Sequence, residues 1–83
     1  MRSGIDFTTV LLGFASSALV HMGAQVHPET GGVTKDAALA REVLDLLALL
    51  REKTRGNLTA EEERFFDSIL TDLRLKFVEA FPR

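Results

Sequence analysis

Arg51-Glu52-Lys53-Thr54-Arg55-Gly56-Asn57-Leu58-Thr59-Ala60-Glu61-Glu62-Glu63 is the stretch that decides how this chain folds. Gly56 reads as the C′ residue of a helix ending near Arg55, the position where glycine most often closes a helix. Thr59 and Glu62 have the spacing of a capping box, so another helix starts near Ala60. Gly56, Asn57, Thr59 and Glu62 are therefore the turn and cap residues. Only Gly56–Asn57–Leu58–Thr59 separates the two helices, and a link that short sets them antiparallel. Arg51, Lys53 and Arg55 sit at a helix C-terminus, and Glu61, Glu62 and Glu63 at an N-terminus. Each such charge offsets the macrodipole by about 0.3–1 kcal/mol. The two clusters face each other across the turn and read as structural, not as a partner-binding patch.

Outward from the turn, the apolar positions keep a helical period. Upstream, Thr34 or Asp36 caps a helix spanning about 36–55, with Leu39, Ala40, Val43, Leu46, Leu47 and Leu50 on one face and Leu44 at its edge. Downstream, a helix over about 60–80 aligns Phe66, Ile69, Leu70, Leu73, Phe77 and Ala80, widened by Phe65, and fades before Pro82. Each spans about 30 Å. The two stripes should meet in a hairpin. Leu49, Leu75 and Val78 project away from them and hint at a second contact surface. No segment alternates with a period of two, so no strand is expected and the fold class is all-α.

The first third of the chain differs in kind. Residues 1–33 carry only Arg2, Asp6 and Glu29, against nine basic and ten acidic residues in 34–83. Asp6 caps a first helix over about 7–22, closed by Gly23. A loop follows over 24–34, where Pro28 disfavours helix for His27 and Gly31–Gly32 favours a turn. Phe7, Val10, Leu11, Phe14, Ala18 and Met22 form the large apolar face, with Leu12 and Leu19 far round to one side. Thr9, Gly13, Ser16 and Ser17 line the remainder. A helix with no charged face is normally buried between neighbours. Two other helices can hardly surround it completely, so it either packs in the hairpin groove with its small-residue side half exposed or is covered by a second chain, the favoured reading. Gly13 and Ser17, four residues apart, would let another backbone come close.

Composition sets the outer bounds. With 83 residues and 9.2 kDa, the chain is one small domain near the lower limit for a single core. Hydrophobic residues make up 46% and charged ones 27%, a globular balance that excludes wholesale disorder. Without cysteine there is no disulfide, thiolate metal site or cysteine nucleophile. A net charge of -2 and the lack of a basic stripe with stacking aromatics argue against nucleic acid. The uncharged run is interrupted by Thr8, Thr9, Ser16, Ser17, His21, Gln25 and His27, which leaves it short of a membrane span. Its start is too sparse in basic residues for a signal peptide. The expected compartment is the cytoplasm.

Candidate chemistry is thin. Ser17 and His21 stand four apart on one helix, but no acid lies nearby in sequence to orient the histidine. Both read better as small polar packing residues. His21 and His27 are six apart around a proline-bounded loop, and no His-Glu-x-x-His or Glu-x-x-His occurs. Gly31–Gly32 lacks the spacing of a phosphate loop. No catalytic residue, metal or cofactor is expected.

Several blocks together resemble a known family. Asp45–Leu46–Leu47, Glu52–Lys53–Thr54–Arg55–Gly56–Asn57–Leu58–Thr59 and Glu61–Glu62 are similar to the bacterial domain-of-unknown-function 1844 family. So are the run from Phe14 to Gly23 and Pro28–Glu29–Thr30–Gly31 ahead of the helix at Asp36. The resemblance spans roughly Ile5 to Val78. It implies a small, bacterial, cytoplasmic helical protein, with no catalytic residue to carry over.

The expected function is a non-enzymatic helical protein–protein interaction module. It would form a homo-oligomer, a dimer by preference, through Val10, Gly13, Phe14, Ser17, Leu12 and Leu19 of the first helix. Alternatives are a protein binding a small hydrophobic ligand or lipid, or one resting on a membrane surface. Basic residues do not flank the apolar helix as the last mode prefers.

Overall fold

The computed structural model describes residues 6–26 and 29–82, so expectations for His27 and Pro28 fall outside the described residues. Three helices form, α1 (Phe7–His21), α2 (Ala37–Lys53) and α3 (Ala60–Ala80), with no strand among the described residues. Each begins where a short polar side chain satisfies an otherwise unpaired N–H. Asp6 Oδ1 accepts from the Thr9 N–H at 2.9 Å, and Asp36 Oδ1 from the Leu39 N–H at 3.0 Å. At α3 the reciprocal box is complete. Thr59 Oγ1 accepts from the Glu62 N–H at 3.1 Å, while Glu62 Oε1 accepts from the Thr59 N–H at 2.9 Å. Thr59→Ala should lower stability by about 1 kcal/mol in a urea melt, and superimposable curves would show the box contributes nothing.

The C-terminal ends of α1 and α2 differ from expectation by one or two residues, while α3 ends at Ala80 as expected. α1 stops at His21 with Met22 as its cap. α2 stops at Lys53 with Thr54 as its cap, which corrects the expected end at Arg55 and moves Gly56 from the first position beyond the cap to the second. The cause is local. Thr54 Oγ1 donates to the carbonyls of Leu50 and Arg51, and the Arg55 N–H reaches only to Glu52, so the last turn tightens. Gly56 still adopts the left-handed conformation, with φ +83°, and a Cβ there would meet nothing within 4 Å. Gly56→Val should therefore cost roughly 1–2 kcal/mol from backbone strain alone, read as a lower melting temperature.

The helices pack with α1 laid against both others. Arg51 of α2 meets Asp67 of α3, Arg41 lies over Phe77, and Lys35 reaches Ala80. Number falls along α2 as it rises along α3, the pairing order of antiparallel neighbours. Phe7 sits 5.7 Å from Phe66, while at the other end His21 accepts from the Asp36 N–H. So α1 runs alongside α3 and against α2. Leu11, Ala15, Ala18 and Met22 meet Ala40, Val43, Leu44 and Leu47 of α2 and Phe66, Leu70 and Leu73 of α3 in one core.

Two faces turn differently from the sequence reading. On α2 Leu44 is buried in the core, not at its edge, while Leu39 and Leu46 are exposed. α2 has neighbours on two sides, and its inner face centres on Leu47 between them. On α1 Ala15 is buried and Val10 partly exposed. The small Ala15 and Ala18 side chains let α1 approach the pair closely.

Lys35 ties the far end. Its Nζ donates to the Ala80 carbonyl at 3.2 Å and stands 6.0 Å from the Phe81 ring. No basic residue occupies the last turn of α3, so a cation from the segment leading into α2, at the same end of the bundle, offsets that dipole.

Candidate interaction surface

Helical geometry gives α1 three sides. The inner side, Leu11, Ala15, Ala18 and Met22, is consumed by the core. Thr8 shares a cleft with Phe65 of α3, so its side of the helix faces α3. Leu12 and Leu19 continue that side at helical spacing; Leu12 is exposed, and Leu19 packs half-buried against the core. Val10, Phe14 and Ser17 lie on the opposite side, toward α2. The six residues expected at one interface are thus divided between two edges of α1.

The α2 edge is the more apolar. Arg41, Leu44 and Ala48 share a cleft with α3, which places Leu39, Leu46 and Leu50 on the other flank of α2, away from α3. Val10 is 38%, Leu39 42% and Leu46 47% exposed, with Phe14 and Leu50 half-buried between them and the core. Gly13 lies on the outer side of α1, in a cleft shared with Ser17 and Val20, and a Cβ built on it meets nothing within 4 Å.

Part of α1's outer side is covered by the chain itself. Ser16 Oγ donates to Gln25 Oε1 at 3.1 Å, folding the following loop back over the helix. Val20 points away from the core yet is only 7% exposed. It lies in a cleft of about 420 Å³ shared with Gly13, Ser17, Gln25 and Val26. The sequence favours a second chain over the hairpin groove as this cover; the loop supplies some of it. The signal was present as a polar Gln25 placed to reach a helix serine, but a partner nine residues away obeys no fixed spacing.

The same cleft holds His21 and Glu29, so folding brings an acid toward the Ser17–His21 pair that the local sequence lacks. No side-chain hydrogen bond joins Ser17 to His21 among the described residues, so the geometry shows no activated nucleophile. Among the described residues no group of three or more metal-ligating side chains gathers, and no helix is long and apolar enough to cross a membrane.

Charge is organised at the turn. Arg51 Nε donates to Asp67 Oδ1 at 2.9 Å, with Glu63 at 3.8 Å, and Arg55 pairs with Glu52. The hydrogen bond from Arg51 holds the Asp67 carboxyl below its ordinary value, and that from Arg55 does the same for Glu52. A carboxyl depressed in the fold contributes stability above its unfolded value and loses it as acid protonates the folded group. For Asp67 that loss falls below about pH 4. Asp67→Asn should melt below wild type near neutrality, and the two curves should converge in acid. A gap that stays constant with pH would show that the pair contributes nothing.

A family model described as a domain of unknown function (DUF1844) matches residues 4–79. No curated protein and no solved structure matches the chain.

Proposed function

We propose, from the premise that this chain belongs to the DUF1844 family, that it is a non-enzymatic helical interaction module of the bacterial cytoplasm that self-associates through α1. The observation behind this reading is the apolar edge formed by Val10 and Phe14 of α1 with Leu39 and Leu46 of α2. Its α1 half has no charge between Asp6 and Glu29. In a two-fold dimer the same patch meets itself, so any charge there would oppose its own copy. An uncharged patch avoids that repulsion.

The open space at Gly13 leaves room for a neighbouring helix to approach.

The test uses paired variants. Leu46→Asp places a charge in the patch and should give a monomer with unchanged helicity by circular dichroism. Gly13→Leu should also weaken the assembly, at a typical overpacking cost of about 1–3 kcal/mol. Within one chain a Cβ there meets nothing within 4 Å, so its helices should persist. Assembly unaffected by both substitutions would remove this edge from the interface.

A further inference from the structure

Two packed helices present a groove on each side of their contact. α1 lies along one groove of the α2–α3 pair. The other is open, holds about 380 Å³, and has no α1 residue in its lining. Leu44 and Ala48 of α2 and Phe77 of α3 form its floor, and Val78 stands 66% exposed on its rim. Val78 is one of the three residues whose outward position in the sequence pointed to a second surface.

The two walls carry Arg41 and Arg74. The Arg41 guanidinium lies 5.5 Å from the Phe77 ring centroid, a contact that uses none of its five N–H donors. Neither arginine forms an ion pair among the described residues. Arg51, further along α2, is by contrast held by Asp67 and Glu63. Asp45 also lines the groove, leaving two cations against one anion. The groove therefore joins an apolar floor to a rim with unused donors and net positive charge.

We infer that this groove docks a short amphipathic helix from a partner protein, with carboxylates flanking its apolar stripe. Arg41 to Ala48 covers two turns, about 10 Å, enough for two apolar anchors four residues apart. The small Ala48 leaves space for one anchor. Arg41 and Arg74 take the flanking carboxylates, each geometry suited to a two-pronged bond. The open groove suits a helix better than a small molecule, which a pocket would enclose on most sides. This surface is separate from the α1 edge proposed for self-association, so either can fail alone.

Two labelled synthetic helical peptides test it, sharing the same leucine stripe, one flanked by glutamates and the other by lysines. Fluorescence anisotropy against the full chain should show saturable binding of the glutamate peptide that weakens with salt. The lysine peptide should bind roughly tenfold more weakly or worse. Arg41→Glu with Arg74→Glu should invert that preference, with circular dichroism showing the fold intact. Should the double variant fail to fold, Arg74→Gln alone should still weaken the glutamate peptide severalfold. Equal affinity for both peptides, no binding of either, or indifference to the arginine changes would overturn the inference. Decanoate displacing the peptide and binding more tightly would assign the groove to a small carboxylate amphiphile instead. A shift in the protein's own sedimentation mass on changing the arginines would assign it to a second copy, which also overturns it.

Discussion

Phe66→Ala is expected to unfold much of this protein at 25 °C. Phe66 is fully buried, its ring 5.7 Å from Phe7 and the Arg51 guanidinium 5.9 Å from its centroid. It is the largest side chain with essentially no exposure, at the point where all three helices meet. Emptying such a site costs about 3–5 kcal/mol, since the cavity adds to the lost transfer energy. Domain stabilities begin near 5 kcal/mol, and small cores lie at that end. Leu75→Ala on the outer side of the same helix should change stability by no more than about 0.5 kcal/mol. Urea melts followed at 222 nm separate the two. Similar losses at both positions would mean that the core is not centred on Phe66.

The second large effect distinguishes neighbours in sequence. Leu11 is fully buried and Leu12 is 52% exposed. Leu11→Ala should cost about 2–5 kcal/mol and Leu12→Ala a small fraction of that. The contrast tests whether α1 docks on the α2–α3 pair within one chain. If α1 were instead held only by a second copy, the Leu11→Ala loss would vanish on dilution along with the assembly. Thermal melts over a range of protein concentrations supply the measurement.

Local signals in the sequence located all three helices and the starts of α1 and α3, and narrowed the start of α2 to Thr34 or Asp36. Asp6, Asp36 and Thr59 cap the residues that follow them because an N-cap needs only a short polar side chain and N–H groups two or three residues on. The inner face of α3 was equally legible, since Phe66, Leu70 and Leu73 share one helical stripe while their neighbours Asp67, Asp72 and Arg74 turn out of it. α2 was legible in part. Ala40, Val43 and Leu47 go inward as its periodicity indicates, but six leucines spread around it, and only its two neighbours settle that Leu44 goes in and Leu46 stays out. α1 carries even less contrast, which hid the burial of Ala15 and Val20. Lys35 bonding Ala80 and Ser16 bonding Gln25 join segments with no fixed spacing. The same is true of the groove lined by Arg41 and Arg74, which exists only once α2 and α3 lie side by side.

Sedimentation equilibrium of the unmodified chain reports self-association through the α1 edge without any substitution. Across about 1 µM to 1 mM, affinities worth roughly 4–8 kcal/mol become visible. The mass should rise with concentration from 9.2 kDa to twice that value, and Leu46→Asp should return it to the monomer. A wild-type mass that stays at 9.2 kDa over the whole range would contradict it.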